Sequence, residues 1–582
     1  MIADRRRRTR LEALDPGSRR RCRPARQGVR PKPRAAAPET PIDSPRFTGV
    51  SWILSSAKRT PPTKGVAMRD PSQDMIVVLD FGSQTTQLIA RRVRELNVYC
   101  EIHPYHVSPE VIDALQPNGI ILSGGPASVY EDDAPKCAEE FVTGDRPVLG
   151  ICYGMQLMTH FLGGEVAPTT EREYGHALVE VDRLTRLTSG VADPLHVWMS
   201  HGDRLDRLPD GFDAVAKSEN SPVAIMADGD QRRFGLQFHP EVVHTKEGHE
   251  LLSNFVLGVC GCSATWTMES FVETTIRDVR AKTQGKRVLS ATSGGVDSTV
   301  LSKLMRDAIG DRVVCLFVDN GLLRKDEAGQ VRAMFRDNLD IELHFVDATD
   351  RFLEALEGVA DPEAKRRIIG NTFIEVFEDA VSDIGGADFL AQGTLYPDVI
   401  ESVSVRGPSS MIKTHHNVGG LPDDLRFELI EPFRELFKDE VRAVGRELDI
   451  PKDMLGRHPF PGPGLAVRVL GDITRERLDV LREADAIFID ELHAANVYDS
   501  IWQAFAVLLP VSTVGVMGDA RTYENVVALR AVHSRDRMTA DWYPLPHDLL
   551  GRASNRIINE VRGVNRVCYD ISSKPPATIE WE

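Results

Sequence analysis

Val288-Leu-Ser-Ala-Thr-Ser-Gly-Gly-Val-Asp-Ser-Thr299 is the stretch that decides the fold. Its first four residues predict a buried strand, and the apolar residues at 300, 301, 304 and 305 recur at helical spacing. Asp297 and Ser298 predict a helix start with a capping side chain. The glycine pair between the predicted strand and the predicted helix lets backbone N–H groups approach a ligand, and the helix N-terminus adds partial positive charge. The order of strand, glycine pair and helix predicts a phosphate-binding loop in an α/β fold.

The loop lacks the lysine of the common pattern GxxxxGK[ST], which reaches the transferred γ-phosphate. Without that lysine, the backbone amides and hydroxyls of the loop are suited to hold pyrophosphate while a reaction takes place at the α-phosphate. A reaction of this kind is an adenylation. The motif Ser293-Gly-Gly-Val-Asp-Ser298 resembles the pyrophosphate loop of the N-type ATP pyrophosphatases, whose fold is adenine-nucleotide α-hydrolase-like. A glycine-rich turn that binds nothing is the plainer alternative. The resemblance implies ATP binding by Ser293, Gly294, Gly295, Val296, Asp297, Ser298 and Thr299.

Two residues outside the loop are further candidates for ATP binding. Asp319 follows the predicted strand Val313–Val318, at the carboxyl end where ligand-contacting side chains gather in open α/β sheets. A capping role for Asp319 is an equal alternative. Lys413 could stabilise charge on the α-phosphate.

A second constellation precedes this domain. Apolar runs at Ile76–Leu79, Gly119–Leu122 and Pro147–Ile151 predict strands that alternate with helices, and this alternation predicts a parallel sheet covered on both faces. The last run leads into Cys152, with glycines two residues before and after it. Such spacing fits the sharp strand-to-helix turn that exposes a nucleophile, and the following helix N-terminus favours a thiolate.

A base for this cysteine is available in His239-Pro-Glu241, which follows the strand-like Phe234–Phe238. Glu241 could orient the imidazole and balance its charge. A single cysteine in an apolar run is more often part of a core, and a single histidine is more often structural. The combination with Cys152 favours a catalytic triad.

These motifs, with Leu122-Ser-Gly-Gly-Pro126, resemble the class I glutamine amidotransferases over residues 75 to about 265. The resemblance implies that the cysteine attacks the amide of glutamine and releases ammonia. It also implies an oxyanion hole of backbone amides near Gly125 and Tyr153, and a place for Gln156 beside the glutamine.

Composition excludes several classes of protein. The formal net charge is -16, but residues 1–74 carry 18 Lys+Arg against 7 Asp+Glu, so the remainder is strongly acidic and unsuited to nucleic acid. Eight cysteines lack the paired zinc spacing and form no secreted disulfide framework, which predicts a cytoplasmic protein. Polar residues and a proline interrupt the longest apolar stretch, Ile501–Met517, so no membrane span is predicted.

The segment 1–74 is rich in Arg, Pro and Ala and lacks apolar periodicity, which predicts a disordered basic extension. It could be a targeting or nucleic-acid-binding arm. The favoured alternative is an over-extended reading frame with the true start at Met68 or Met75.

Two charged segments could serve the nucleotide. Asp361–Gly370 carries the consecutive cations Lys365, Arg366 and Arg367, which usually mark a solvated helix face but could form a lid over phosphates. Asp398 and Glu401 lie in a predicted turn and are candidate Mg²⁺ ligands, because that ion prefers carboxylates together with substrate phosphates.

The last segment predicts a smaller α+β domain. Prolines and glycines in His458–Leu465 predict a fixed turn at a domain boundary. Helical periodicity at 474–495 and 547–562 alternates with strand-like Val511–Val516 and Arg566–Tyr569. The predicted organisation is an extension (1–74), two parallel-sheet α/β domains (75–265 and 266–457) and this C-terminal domain (458–582).

A glutaminase joined to an adenylating domain is common to NAD synthetases and GMP synthases. The His458–Leu465 loop, the stretch Val514–Asp519 and the ending Lys574-Pro-Pro-Ala-Thr-Ile-Glu-Trp-Glu582 resemble the glutamine-hydrolysing GMP synthases, and the resemblance extends over residues 76–582. It implies that xanthosine 5'-monophosphate (XMP) is adenylated at its C2 oxygen and aminated to GMP, with Mg²⁺ required and no prosthetic group. It further implies a homodimer formed by the C-terminal domain. The XMP contacts it implies are Arg366, Arg566, Lys574, Ile579 and Glu580.

Departures from that family are few. Thr85 stands where tyrosine is common, and Ala291-Thr292 precede the loop where Gly-Leu is usual. A non-catalytic relative would have lost Cys152, His239 or Glu241, whereas an enzyme restricted to free ammonia would differ in its use of glutamine.

Overall fold

The structure is a computed structural model that describes residues 74–402, 427–517, 520–534 and 539–582, apart from the side chains of 169–172, 401, 402 and 517. All of the described residues belong to one compact unit. Three sheets organise this part of the chain. The domain boundaries near residues 265 and 457 stay predictions.

The first sheet lies within the predicted amidotransferase segment. Its strands are β1 (Met75–Asp80), β2 (Tyr99–Pro104), β3 (Gly119–Leu122), β4 (Val148–Ile151), β5 (Glu165–Val181), β6 (Leu195–Arg207), β7 (Phe212–Lys217), β8 (Ile225–Asp228) and β9 (Arg233–Leu236). The strand order is β2-β1-β3-β4-β9-β8-β7-β5-β6. The first five strands in that order are parallel, as predicted, and antiparallel pairing extends the sheet from β9 to β6.

Helices cover this sheet on both faces. Residues 75–79 of β1 are all buried, because a parallel strand between two helical layers has no solvent-exposed face. The helices are α1 (Thr86–Glu95), α2 (Pro109–Leu115), α3 (Glu140–Thr143), α4 (Tyr153–Phe161) and α5 (Gly248–Ser253), and a π-helical segment (Asn254–Val259) follows the last of them.

The second sheet is parallel throughout its described strands. They are β10 (Val288–Thr292), β11 (Val313–Asp319), β12 (Leu343–Asp347), β13 (Phe389–Ala391) and β14 (Glu428–Ile430), in the order β12-β11-β10-β13-β14. The helices of this segment are α6 (Met268–Thr283), α7 (Val296–Ile309), α8 (Glu327–Leu339), α9 (Thr349–Ala355), α10 (Pro362–Asp383), α11 (Tyr396–Ser402), α12 (Lys438–Glu447) and α13 (Lys452–Leu455), with a 3₁₀ turn at Gly310–Arg312.

The third sheet is mixed and forms the predicted α+β domain. Its strands are β15 (Gln503–Met517), β16 (Ala520–His533), β17 (Asp541–Trp542) and β18 (Val564–Tyr569). The strand β16 pairs antiparallel with β15 and β17, and parallel with β18. Two helices, α14 (Arg475–Ala494) and α15 (His547–Glu560), pack on it, and 3₁₀ turns occupy Gly464–Val467 and Tyr498–Ser500.

Two local predictions were wrong. The helix α7 begins at Val296 with Gly295 at its N-cap and no side-chain cap, because Asp297 and Ser298 already lie within its first turn. Asp398 and Glu401 lie in α11 instead of a turn, and the carboxylate of Asp398 accepts a hydrogen bond from the Leu395 amide at 3.1 Å.

His458 anchors the proline-rich stretch that enters the C-terminal domain. Its Nδ1 accepts a hydrogen bond from the Ala504 amide at 3.2 Å, its Nε2 donates to the Tyr498 carbonyl at 3.1 Å, and its ring stacks on Tyr498. Burial lowers the pKa of His458 to about 4, aided by the charges of Arg324 and His493 and opposed by the Tyr498 carbonyl. The ring is therefore neutral in the folded protein near neutral pH.

We expect the free energy of unfolding to fall as the pH is lowered from the ordinary histidine pKa of about 6.5 to about 4, because only the unfolded chain binds a proton at this residue in that window. The contribution is on the order of 3 kcal/mol. Urea unfolding of the wild type and of His458→Asn at several pH values measures it. An identical pH dependence in both proteins would contradict the assignment.

Candidate active sites

The turn between β4 and α4 places Cys152 at the carboxyl end of the first sheet. Cys152 has a φ of 51°, a left-handed conformation that costs energy in a residue with a side chain. The flanking glycines have no room for a side chain, since a Cβ would lie 2.6 Å from the Met155 nitrogen at Gly150 and 2.4 Å from the Leu122 carbonyl oxygen at Gly154. The two glycines are therefore required for the turn that presents the thiol.

His239 and Glu241 lie beside this thiol. The Nδ1 atom of His239 is 2.7 Å from Oε1 of the fully buried Glu241, and Cys152 is one of the groups that act on the His239 ring. Burial by itself lowers the pKa of His239, but the Glu241 carboxylate and the contacts with Cys152 outweigh it and hold the pKa well above its ordinary value. The ring is thus an imidazolium near neutral pH, and it can give a proton to a leaving group.

The position of Glu241 is itself fixed by its surroundings. Its backbone carbonyl accepts a hydrogen bond from Nε of Arg92 at 3.0 Å, and Thr245 Oγ1 donates to the backbone carbonyl of His239 at 2.6 Å. Within the described residues, the second carboxylate oxygen of Glu241 has no hydrogen-bond partner. Among the described residues, the hydrogen bond of this carboxylate is therefore the one with His239.

Two further glycines, Gly124 and Gly125, lie close to the residues of this site. A Cβ on Gly124 would lie 3.1 Å from Cε1 of His239 and 3.8 Å from Cβ of Cys152, and a Cβ on Gly125 would lie 3.3 Å from Cγ of Tyr153. Gly125 and Tyr153 are therefore close to each other, as an oxyanion hole would require. That role stays a prediction.

Gln156 is buried behind the thiol. Its backbone N–H donates to the Cys152 carbonyl at 3.2 Å, and its side-chain Nε2 donates to the Asp203 carbonyl at 3.5 Å. Asp203 was not predicted from the sequence, and neither was Ser200, whose carbonyl lies 3.6 Å from Sγ of Cys152. Both belong to Ser200-His-Gly-Asp203 in β6, and this polar run within a strand was the available signal.

The glycine loop of the second sheet is held by its own serines. Ser293 Oγ accepts from the Gly295 amide at 3.3 Å, and Ser298 Oγ accepts from the Ser293 amide at 3.2 Å. Gly294 has a φ of 72°, and a Cβ there would lie 2.5 Å from Val331. Asp297 forms an ion pair with Lys438 at 3.0 Å through Oδ2, while its buried Oδ1 is without a hydrogen-bond partner among the described residues.

The other two predicted ATP contacts and one predicted Mg²⁺ ligand have different outcomes. Asp319 ends β11 and accepts from the Gly321 amide at 2.9 Å, so it closes the following turn, and a contact with ATP stays a prediction. Lys413 lies outside the described residues, as does the side chain of Glu401.

The predicted lid begins α10. Lys365 is fully buried, and its Nζ contacts the carbonyls of Ala466 and Val469 and the Glu582 carboxylate at 2.6 Å. A lid role for Lys365 is therefore wrong, because its ammonium group is committed to the docking of the C-terminus. Arg366 is partly exposed and pairs with Glu363.

The predicted XMP contacts of the C-terminus lie on docked backbone. Glu580 forms a two-point ion pair with the buried Arg468, at 2.8 and 3.1 Å. The Ile579 carbonyl accepts from Arg530 at 2.9 Å, and backbone hydrogen bonds join Lys574 to Ala540. Arg566 of β18 donates to Thr513 at 3.4 Å.

Neither a membrane span nor a metal cluster occurs in the part of the chain that the structure describes. No helix in the described ranges is long and apolar enough to cross a membrane. The described side chains contain no group of three or more His, Cys, Asp or Glu residues arranged to hold a metal ion.

Comparisons with known proteins cover most of the chain. The family model for class-I glutamine amidotransferases matches residues 77–259, and the model for the GMP synthase C terminal domain matches residues 490–581. The glutamine-hydrolyzing GMP synthase of Rhizobium johnstonii is 57% identical over 513 residues, which are 88% of this chain and 99% of that protein. That of Brachyspira hyodysenteriae is 55% identical over 509 residues, with the same coverage of 88% and 99%.

Among solved structures, a glutamine amidotransferase from Thermotoga maritima matches 32% of this chain and 98% of its own, at 20% identity and a TM-score of 0.28. The near-complete relatives share more than half of their residues with this chain. The chain therefore belongs to the family of glutamine-hydrolysing GMP synthases.

Proposed function

We propose that this protein converts XMP to GMP with ATP and glutamine, as a step of guanine nucleotide biosynthesis. The observation that carries the proposal is the arrangement of Cys152, His239 and Glu241 in a chain that also holds an adenylation-type glycine loop. Family membership supplies the substrates, which are those of the glutamine-hydrolysing GMP synthases.

Glutamine hydrolysis takes place at the first sheet. The sulfur of Cys152 attacks the amide carbon, and the amides near Gly125 and Tyr153 stabilise the oxyanion. The carbon–nitrogen bond breaks as His239 delivers a proton, and ammonia leaves. Water then cleaves the thioester to glutamate and restores the thiol. Gln156, whose backbone is tied to Cys152, orients the glutamine.

The second sheet activates the purine. Backbone amides and hydroxyls of residues 293–299 hold the β- and γ-phosphates, while the C2 oxygen of XMP attacks the α-phosphate and pyrophosphate leaves. Ammonia then attacks C2, and AMP departs with the former C2 oxygen. In this proposal Asp319 is a further contact of ATP, and Lys413 offsets charge on the α-phosphate.

The C-terminal residues and α10 hold XMP. Arg366 and Arg566 offer cations to its phosphate, and Lys574, Ile579 and Glu580 offer polar contacts on a docked tail. The ion pair between Glu580 and Arg468 holds that tail in place for the ligand.

Mg²⁺ accompanies ATP, and when bound it neutralises phosphate charge. The orphaned Oδ1 of Asp297 fits this ion, since Mg²⁺ prefers a carboxylate oxygen together with phosphate oxygens. Asp398 and Glu401 are the other candidate ligands. We place the protein in the cytoplasm as a homodimer joined through its C-terminal domain.

Replacing Cys152 by Ala should abolish GMP formation from glutamine, by about 10³-fold or more, because the nucleophile is gone. Formation from ammonium should stay within about twofold, because adenylation takes place at the other sheet. Both rates are measured by the absorbance change of the purine, with the exposed Cys568→Ala as the matched control. Equal loss of both activities would refute the division of labour.

Replacing Asp297 by Ala should stop XMP-dependent release of pyrophosphate from ATP, by about 10²-fold or more. Alkylation of Cys152 by a glutamine-like electrophile should continue at the wild-type rate, since the first sheet is unaltered. Asp307→Ala, at the other end of α7, is the control. Undiminished pyrophosphate release from Asp297→Ala would exclude the proposed nucleotide loop.

A further inference from the structure

A buried histidine and glutamate face each other outside the catalytic triad. Glu173 of β5 and His201 of β6 are opposite one another in the antiparallel pair, and their side chains are 8% and 1% exposed. The Nε2 atom of His201 lies 3.2 Å from Oε2 of Glu173, and its Nδ1 lies 3.0 Å from the Asp203 carbonyl oxygen. The chemistry proposed above uses neither side chain.

The two contacts of the His201 ring require an additional proton. A carbonyl oxygen and a carboxylate oxygen can only accept hydrogen bonds, whereas a neutral imidazole has a single N–H to donate. Both contacts form only if Glu173 and His201 together hold one proton more than a neutral imidazole and a carboxylate. The proton belongs to the pair, whether it resides on the ring or on the carboxyl group.

The groups around the pair act on the ring in opposite directions. Burial is the largest effect and lowers the pKa of His201 below its ordinary value, and the carboxylate of Glu173, the carbonyl of Asp203 and the charge of Asp203 offset this only in part. The charged groups that act on the ring are thus both acidic. The carboxylate of Glu173 also accepts from Ser218 Oγ at 2.9 Å and from the Asn220 amide at 3.3 Å.

The pair borders the residues that surround the nucleophile. The Ser200 carbonyl accepts the contact from Sγ of Cys152 at 3.6 Å, and the Asp203 carbonyl accepts from Gln156. The carboxylate of Asp203 is held by the hydroxyls of Ser128 and Tyr130, at 2.6 and 2.7 Å, in the loop that follows Gly125. A shift of residues 200–203 would therefore move the contact of Ser200 with the thiol, the contact of Asp203 with Gln156 and the contacts of Asp203 with the loop that follows Gly125.

We propose that Glu173 and His201 are a positioning pair for glutamine hydrolysis, which holds residues 200–203 against Cys152 and Gln156 as long as the pair keeps its shared proton. Loss of that proton as the pH rises turns two acceptors towards each other, so one of the two ring contacts is broken. This inference rests on the proposed glutaminase role of Cys152.

The substitution Glu173→Gln keeps the hydrogen-bond geometry of the pair and removes its need for the shared proton. The amide oxygen replaces Oε1 opposite Ser218 and Asn220, and the amide N–H₂ replaces Oε2 and donates to a neutral His201 ring. Both ring contacts then form without the additional proton. We expect glutamine-dependent GMP formation by this variant to match that of the wild type at mildly acidic pH and to lose the decline that the wild type shows as the pH rises.

The measurement is the ratio of variant to wild-type kcat from about pH 5 to about pH 9, a range that spans histidine titration. With glutamine the ratio should rise about threefold or more, and with ammonium it should stay constant. Glu173→Ala should lower kcat with glutamine by about tenfold at every pH and raise KM, because Gln156 loses its support. Glu180→Gln, an exposed position on the same strand, is the matched control.

Two results would overturn the positioning role. One is a pH profile of kcat with glutamine for Glu173→Gln that is parallel to the wild-type profile. The other is a Glu173→Ala enzyme with unchanged kcat and KM for glutamine. A wild-type protein that makes GMP from ammonium but not from glutamine would instead refute the proposed function itself.

Discussion

The buried ion pair between Arg94 and Glu440 fixes how the first and second sheets stand relative to each other. The side chains of Arg94 and Glu440 are 3% and 11% exposed, and Nη1 of Arg94 lies 3.3 Å from Oε1 of Glu440. Glu440 also accepts from the indole of Trp266 at 2.7 Å, and the guanidinium of Arg94 lies 4.3 Å from the Tyr99 ring centroid. Removing one partner would leave a buried charge uncompensated, at a cost of about 3–5 kcal/mol.

The two helices that carry this pair also reach both active sites. In α12, Lys438 precedes Glu440 by two residues and pairs with Asp297 of the glycine loop. In α1, Arg92 precedes Arg94 by two residues and donates to the backbone of Glu241. One junction thus supports both the Asp297 side chain of the glycine loop and the backbone of Glu241, whose carboxylate contacts His239. The joining of the two chemistries in a single chain has a direct structural basis.

Local sequence patterns predicted the parts of the sites that depend on neighbours in the chain. The strand before Ser293 and the turn at Cys152 follow from apolar runs beside glycines, and the contact of His239 with Glu241 needs only two residues of separation. Contacts set by tertiary packing could not be predicted in the same way. Lys365 lies in a run of cations but is buried by the C-terminus, and Glu173 meets His201 only through the register of two long strands.

The central claim is that nitrogen released at Cys152 is transferred to the purine activated at the glycine loop. The most direct test is GMP synthesis with glutamine labelled with ¹⁵N at the amide, in the presence of an excess of unlabelled ammonium. We predict that the label enters the exocyclic amino group of GMP in equal amount to the glutamate formed. Unlabelled GMP, with the ¹⁵N found only in free ammonium, would contradict this claim.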